Sequence, residues 1–303
     1  LKNSDFTIER VGLLANPVKP SWRQTVEKAR ACVESSGRTV VHLPQATTAR
    51  SFQKESGAII RETADQSDIL IVFGGDGTML HVARSLHGLP TPLLGINTGG
   101  LGFLTAAPVE ALEKTLERVW QGELIRDTRP IMQACVYQDA TPGPDIPAVN
   151  DVVISRGMAS RMIELEVIVD GELLTHYRCD GFIISTPTGS TAYSLSAGGA
   201  IVSPNAKVFT LTPICPHTLS NRSVIVDMQS VIEVRILSQT LETVLTADGQ
   251  EQVTLNPDDR IRVCSIPDRI HLLNLPENPF FNILRQKMQW SGSHVVRRSE
   301  DSS

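Results

Sequence analysis

The sequence predicts an α/β domain followed by a β-rich domain. Two observations carry the prediction. Short apolar runs alternate with amphipathic segments as far as about residue 128, the signature of βαβ units; beyond Arg129 the texture changes to β-branched alternation and turns. The length, 303 residues, suits two compact cores rather than one small one.

In chain order, residues 11–15 form the opening strand. Ser21 is the expected N-cap of a helix reaching about Ser36, closed by Gly37 in the left-handed position. A strand follows at 39–43. The continuous apolar run 69–73 is a buried strand that ends abruptly in Gly74-Gly75-Asp76-Gly77-Thr78, after which 79–86 has helical spacing. Another buried strand is 92–96. The last helix of this half is 108–121, with Leu112, Leu116 and Val119 on one face and a stop at Gly122.

Strands are next expected at 131–137, 150–155 and 163–169, the last leading into Asp170-Gly171, a two-residue hairpin turn. Further strands at 181–185, 208–211, 231–237, 242–246, 260–266 and 270–274 are enough for two packed sheets. The Pro-rich stretch 141–147 reads as an exposed loop. Residues 278–290 return to helical spacing through Phe280, Ile283, Leu284 and Met288, in a helix suited to packing back on the first domain. The tail after Ser291 is polar and expected to be loose.

Composition excludes several classes. A net charge of −5 without a local basic patch argues against nucleic acid as a partner. No apolar run approaches the roughly 20 residues of a membrane span, so the expected location is the cytoplasm. Five scattered cysteines (Cys32, Cys135, Cys179, Cys215, Cys264) form no Cys-x-x-Cys pair and read as reduced structural thiols.

The turn at 74–78 lies where open α/β sheets bind ligands. Glycines let the backbone approach a phosphate, and the following helix start offers unpaired N–H groups. A carboxylate there repels phosphate unless it serves a hydroxyl or a bridging magnesium ion, which makes Asp76 the candidate general base. An ordinary tight turn is the competing explanation. The run 185–199, dense in hydroxyls and glycines and free of charge, suits a polar ligand, with Tyr193 offering a flat surface for a ring. Asn150-Asp151 can hydrogen-bond ribose hydroxyls or a base edge, or form an Asx turn. Arg178 and Asp180 place opposite charges two apart shortly before the hydroxyl-rich run, with a surface ion pair as the competing explanation, and Asp248-Gly249-Gln250 reads as a hairpin turn.

These segments, with Asn97-Thr98-Gly99-Gly100-Leu101-Gly102-Phe103-Leu104 and Pro216-His217-Thr218-Leu219-Ser220, resemble the NAD kinase family over most of the chain. Gly-Gly-Asp-Gly alone is shared with diacylglycerol and sphingosine kinases and with phosphofructokinases; the run 185–199 is specific to NAD kinases. The resemblance implies transfer of the γ-phosphoryl group of ATP to the 2′-hydroxyl of the adenosine ribose of NAD, with a divalent metal cation, magnesium with ATP. Asp76 matches the family's proton acceptor. Gly74, Gly75, Gly77 and Thr78 are the implied phosphate-binding residues. Asp76, Gly77, Asn150, Asp151, Arg161, Arg178, Asp180, Thr191, Ala192, Tyr193, Ser194, Leu195, Ser196 and Gln250 fall on NAD-contacting positions. Many relatives carry Asn-Glu where this chain has Asn150-Asp151, one methylene shorter.

The expected architecture is thus a Rossmann-like α/β domain over 1–128, completed by the C-terminal helix at about 277–303, and a β-sandwich over 129–276, with the active site between them. A homodimer or homotetramer is implied. A lipid kinase of the diacylglycerol or sphingosine type and a non-catalytic NAD(P)-sensing module are the alternatives; the polar run 185–199 argues against the first and the retained Asp76 against the second.

Overall fold

The computed structural model describes residues 7–17, 22–42, 49–100, 102–157, 161–218, 221–239, 242–276 and 279–290. The readings at Ser21, Leu43, Leu101, Leu219, Ser220 and Asn278, and the tail after Ser291, lie outside these residues.

The first region comprises β1 (Arg10–Ala15), α1 (Trp22–Ser35), β2 (Thr39–His42), α2 (Ala49–Asp65), β3 (Ile69–Gly74), α3 (Asp76–Ser85), β4 (Leu93–Asn97), β5 (Ala107–Pro108) and α4 (Leu112–Trp120). β1 pairs in parallel with β2 on one side and β3 on the other, and β3 pairs with β4. Strands covered on both faces read as continuous apolar runs. Val11, Leu13, Ile69, Ile71 and Phe73 face α1 and α4, whereas Leu14, Leu70 and Val72 face α2 and α3. α2 is not anticipated from the sequence. Among its described side chains only Ile60, Thr63 and Ala64 are buried, and Gly57 further weakens the helical signal.

The second region holds β6 (Ile125–Gln138), β7 (Thr141–Ala148), β8 (Asp151–Arg156), β9 (Ile163–Val169), β10 (Glu172–Cys179), β11 (Gly181–Ser185) and the short α5 (Tyr193–Ser196). It continues through β12 (Val208–Ile214), β13 (Val224–Asp227), β14 (Ile232–Ile236), β15 (Thr243–Ala247), β16 (Glu251–Leu255) and β17 (Arg260–Asn274), and the described chain closes with α6 (Phe280–Met288). The hairpin between β9 and β10 turns at Asp170-Gly171, both residues at positive φ. β8, β11, β12, β13, β15 and β16 form one antiparallel sheet. Its apolar face (Val152, Ile154, Phe182, Ile184, Phe209, Leu245) meets Leu165, Val167, Val234, Ile261 and Val263 of the other sheet in one core. That is a sandwich.

Two expectations are corrected. The stretch 141–147 is not a loop but β7, paired antiparallel with β6. Asp139 and Ala140 both take positive φ and reverse the chain, and an edge strand tolerates prolines because its outward amides need no partner. Residues 260–266 and 270–274 belong to the single strand β17, with an irregularity between Ile266 and Arg269. Its first part pairs with β14, and Leu272 pairs with Leu93 of β4. The larger sheet therefore runs through both regions, in the order β10-β9-β14-β17-β4-β3-β1-β2.

Candidate active site

Since β2 lies on one side of β1 and β3 on the other, the strand order reverses between β1 and β3. That reversal opens a crevice at their carboxyl ends, where open α/β sheets bind ligands. Gly74 ends β3 and Asp76 begins α3 at this point. Asn16, just past β1, donates from Nδ2 to Thr78 Oγ1 at 3.2 Å. The glycines differ in role. A Cβ on Gly74 would collide with the Thr78 side chain, whereas at Gly75 and Gly77 it would meet nothing within 4 Å. Those two positions are open for a ligand.

The Asp76 carboxylate is held from the next loop. Phe103 N donates to Oδ2 and Leu104 N to Oδ1, each at 3.0 Å. Asn97 shapes that loop: its Oδ1 accepts from Gly99 N at 2.6 Å, and its Nδ2 donates to Gly100 O and to Thr105 Oγ1. Gly102 leaves the space the carboxylate occupies, because a Cβ there would overlap Asp76 Oδ1. An ionised carboxylate has about four acceptor positions. Two are filled by the amides, and the side chain remains 31% exposed, facing a cavity.

That cavity, about 390 Å³, is lined by Asp76, Phe103 and Leu104 on one wall, by Asn150, Thr188, Thr191 and Ala192 on the other, and by Lys287 and Met288 of α6. The second wall is the 3₁₀ turn Thr188–Thr191 packed on Asn150. Asn150 O accepts from Thr186 N at 2.9 Å, Val149 O accepts from Thr186 Oγ1 at 2.6 Å, and a Cβ on Gly189 would strike the Asn150 carbonyl. Many hydroxyls of the run 185–199 are engaged by the fold itself. Ser190 Oγ donates to Pro187 O and accepts from Val202 N, and Ser194 Oγ bonds Thr212 Oγ1. Tyr193 and Ser196 are exposed, and Thr191, Ala192 and Leu195 are half-buried.

The two walls are strapped together. Arg84, buried on α3, donates to Ala247 O at 3.1 Å and to Gln250 Oε1 at 3.2 Å, and its Nε lies 3.8 Å from Asp248 Oδ2. Gln250 Nε2 returns a bond to Gly77 O at 2.8 Å. Asp248 in turn accepts from the amides of Val149, Asn150 and Asp151 at 3.0, 2.7 and 3.2 Å. Burial raises the Asp248 carboxyl above the ordinary range, against the opposing pull of these amides and Arg84. Burial, and then the neighbouring Asp248, pushes Asp151 up to about 7.

The structure thus brings Asp76, Asn150, Thr191 and Ala192 together around one cavity; Gly74, Gly75, Gly77 and Thr78 adjoin Asp76 along the chain but are not among the residues that line it. It places Gln250 in the strap and Asp151 behind the Asn150 wall. Arg178 and Asp180 sit at the other end of β11, roughly 13 Å along the strand at about 3.3 Å per residue. There Arg178 approaches Glu164 at 3.9 Å, Asp180 pairs with Arg156 at 3.0 Å, and Arg161 is exposed. Lys287, Met288, Arg84 and the Asp248 carboxylate were not legible as site residues from local spacing; only their long-range neighbours reveal them. Among the described residues no three His, Cys, Asp or Glu side chains converge as metal ligands.

An acid on a glycine turn at the sheet's switch point, facing a cavity of mixed polar and apolar lining closed by a β-sandwich, defines a small-molecule phosphotransferase. The model of the ATP-NAD kinase N-terminal domain matches residues 11–124, and that of the ATP-NAD kinase C-terminal domain matches residues 149–275. The NAD kinase of Symbiobacterium thermophilum is 39% identical over 279 residues, covering 92% of this chain and 98% of that protein. The NAD kinase of Nitrosomonas eutropha is 43% identical over 232 residues, 77% of this chain and 78% of that protein. Among solved structures, yeast NADH kinase complexed with NADH superposes with a TM-score of 0.84 at 27% identity, covering 95% of this chain and 89% of that one. An NAD kinase from Archaeoglobus fulgidus in complex with ATP superposes with a TM-score of 0.73 at 27% identity, covering 93% and 100%. The chain belongs to the ATP-NAD kinase family.

Proposed function

We propose that this chain transfers the γ-phosphoryl group of ATP to the 2′-hydroxyl of the adenosine ribose of NAD, giving NADP and ADP. The observation that carries the reading is the Asp76 carboxylate, oriented by two backbone amides and open to the cavity beneath Thr191 and Ala192. The names of its relatives, and the NADH and ATP bound to its structural neighbours, support the same substrates.

In the reaction the acceptor hydroxyl hydrogen-bonds Asp76. Its proton passes to the carboxylate as its oxygen bonds the γ-phosphorus, the bond from that phosphorus to the bridging oxygen breaks, and ADP leaves with the electron pair. Gly74, Gly75, Gly77 and Thr78 border the donor phosphates. Asn150, Thr191, Ala192 and Tyr193 hold the adenosine end, with Asp151, Ser194, Leu195 and Ser196 shaping that wall. A dinucleotide laid along β8 and β11 reaches toward Arg178, Asp180 and Arg161 with its other half. A divalent cation, magnesium with ATP, neutralises phosphate charge and enters as part of the donor complex. Asp76 is the one carboxylate among the described residues lining the cavity.

Among the described residues no helix is long and apolar enough to cross a membrane. We place the enzyme in the cytoplasm, as a homodimer or homotetramer, with neither nucleic acid nor membrane as partner. Purified protein given ATP and magnesium with either NAD or diacylglycerol tests the reading. NADP formation supports it. Phosphorylation of the lipid alone, or NAD binding without turnover, overturns it in favour of a lipid kinase or a sensing module.

A further inference from the structure

α6 is the last described element of the chain, yet it closes the cavity. Phe280 at its start lies against Phe103, with ring centroids 6.1 Å apart, and Ile283 and Leu284 are buried beneath it. This seating carries Lys287 to the cavity wall, where its ammonium lies over the Phe103 ring at 5.0 Å and 3.9 Å from Asp76 Oδ2. At that separation it faces the carboxylate as a charge without a hydrogen bond. Its N–H donors have no acceptor among the described residues, and it is the one cation among the described residues lining the cavity.

The chemistry at Asp76 creates a need for such a group. A general base must lie within hydrogen-bond reach of the acceptor hydroxyl, so the phosphoryl group arriving in line on that hydroxyl comes close to the same carboxylate. Two anions are then crowded into one small, partly desolvated site. Removing a proton from the acceptor also favours a cation beside the equatorial phosphoryl oxygens, where charge is spread in the transition state.

We propose that Lys287 is a further catalytic residue, which donates to the oxygens of the transferring γ-phosphoryl group and shields it from Asp76. The proposal rests on the kinase reading above and adds a donor-side residue to it. In the absence of substrate the Asp76 carboxylate is the nearest anion among the described residues. When the donor arrives, the flexible lysine stem lets the ammonium turn a short distance to the phosphate.

The test is steady-state kinetics of Lys287→Met and Lys287→Arg beside the wild type, whose own NADP formation from ATP and NAD checks the underlying reading separately. Lys287 is partly exposed, so its truncation leaves the fold intact; an unchanged Tm and an unchanged Kd for NAD confirm this in the same samples. Lys287→Met is expected to lower kcat/KM for ATP by about 10²–10³-fold, the usual loss for one charge-stabilising donor, with KM for NAD held within twofold. Lys287→Arg is expected to recover at least about tenfold of that loss by keeping the charge. The proposal is overturned if Lys287→Met retains kcat and KM for ATP within twofold, if the loss falls on KM for NAD alone, or if the arginine variant performs no better than the methionine one.

Discussion

Asp76 shows how little of a functional side chain's behaviour is written in its own position. Its place at the start of a helix favours an anion, but its direction comes from the amides of Phe103 and Leu104 and from the missing Cβ of Gly102. Asp76→Asn keeps the shape and one acceptor oxygen while losing the ability to take a proton. It is expected to lower kcat by about 10²–10⁴-fold and to leave NAD affinity within a few-fold, read by turnover and by calorimetric titration on the same samples. Substantial remaining turnover removes the residue from the chemistry. The Gly-Gly-Asp-Gly-Thr sequence was sufficient to single out Asp76. Nothing in it distinguishes Gly74, which Thr78 requires, from Gly75 and Gly77, which the fold leaves free; that difference is one of three-dimensional neighbours.

Among elements, α3 does the most. Its first residue is the candidate base, its middle packs Met79 and Val82 against the sheet, and its last turn sends Arg84 to the β15–β16 turn. That turn presents the buried Asp248 to three consecutive amides of the Asn150 segment, so helix and opposite wall are tied through one side chain. Arg84→Met removes the cation from a buried carboxylate and is expected to destabilise the protein by about 3 kcal/mol, the lower part of the usual range because the amides remain. Urea unfolding measures it. A double-mutant cycle with Asp248→Asn should give a coupling above about 1 kcal/mol; additive effects would mean that the pair does not act as a strap. Spacing located the turn at Asp248-Gly249-Gln250, and both its first residues indeed take positive φ. That its carboxylate points inward is a product of the packing, since a hairpin turn is by default a solvated corner.

For the molecule as a whole, burial of Asp151 couples stability to pH. Its carboxyl, pushed up to about 7 from an ordinary 3.8, keeps its proton in the folded state where the unfolded chain has already released it. Between those values the folded state binds more protons, so this residue makes stability fall as pH rises from about 4 to about 7 and adds no further slope above. Asp151→Asn should gain stability relative to wild type across that window and then hold a constant difference; parallel unfolding curves from pH 4 to 8 would exclude the effect. The outer strands β10 and β13, each the last strand of its sheet, carry the exposed Leu173 and Ile225, a reason to expect self-association through the sandwich. Light scattering should give twice or four times the 33.1 kDa chain mass, and a monomer would refute the assembly.

The alternation of apolar and amphipathic runs, the change of texture near Arg129 and the turn chemistry at 74–78 and 170–171 are local properties, and they determined the two-part architecture and singled out the candidate base. Local signals were insufficient where an element has a thin apolar stripe, as in α2, or where prolines disguise an edge strand, as in β7. Only the tertiary structure joined the regions through β17 and brought Arg84 to Asp248 and Lys287 to Asp76. Contacts between residues more than 150 positions apart depend on how whole sheets and helices pack, and short-range periodicity carries no information about that.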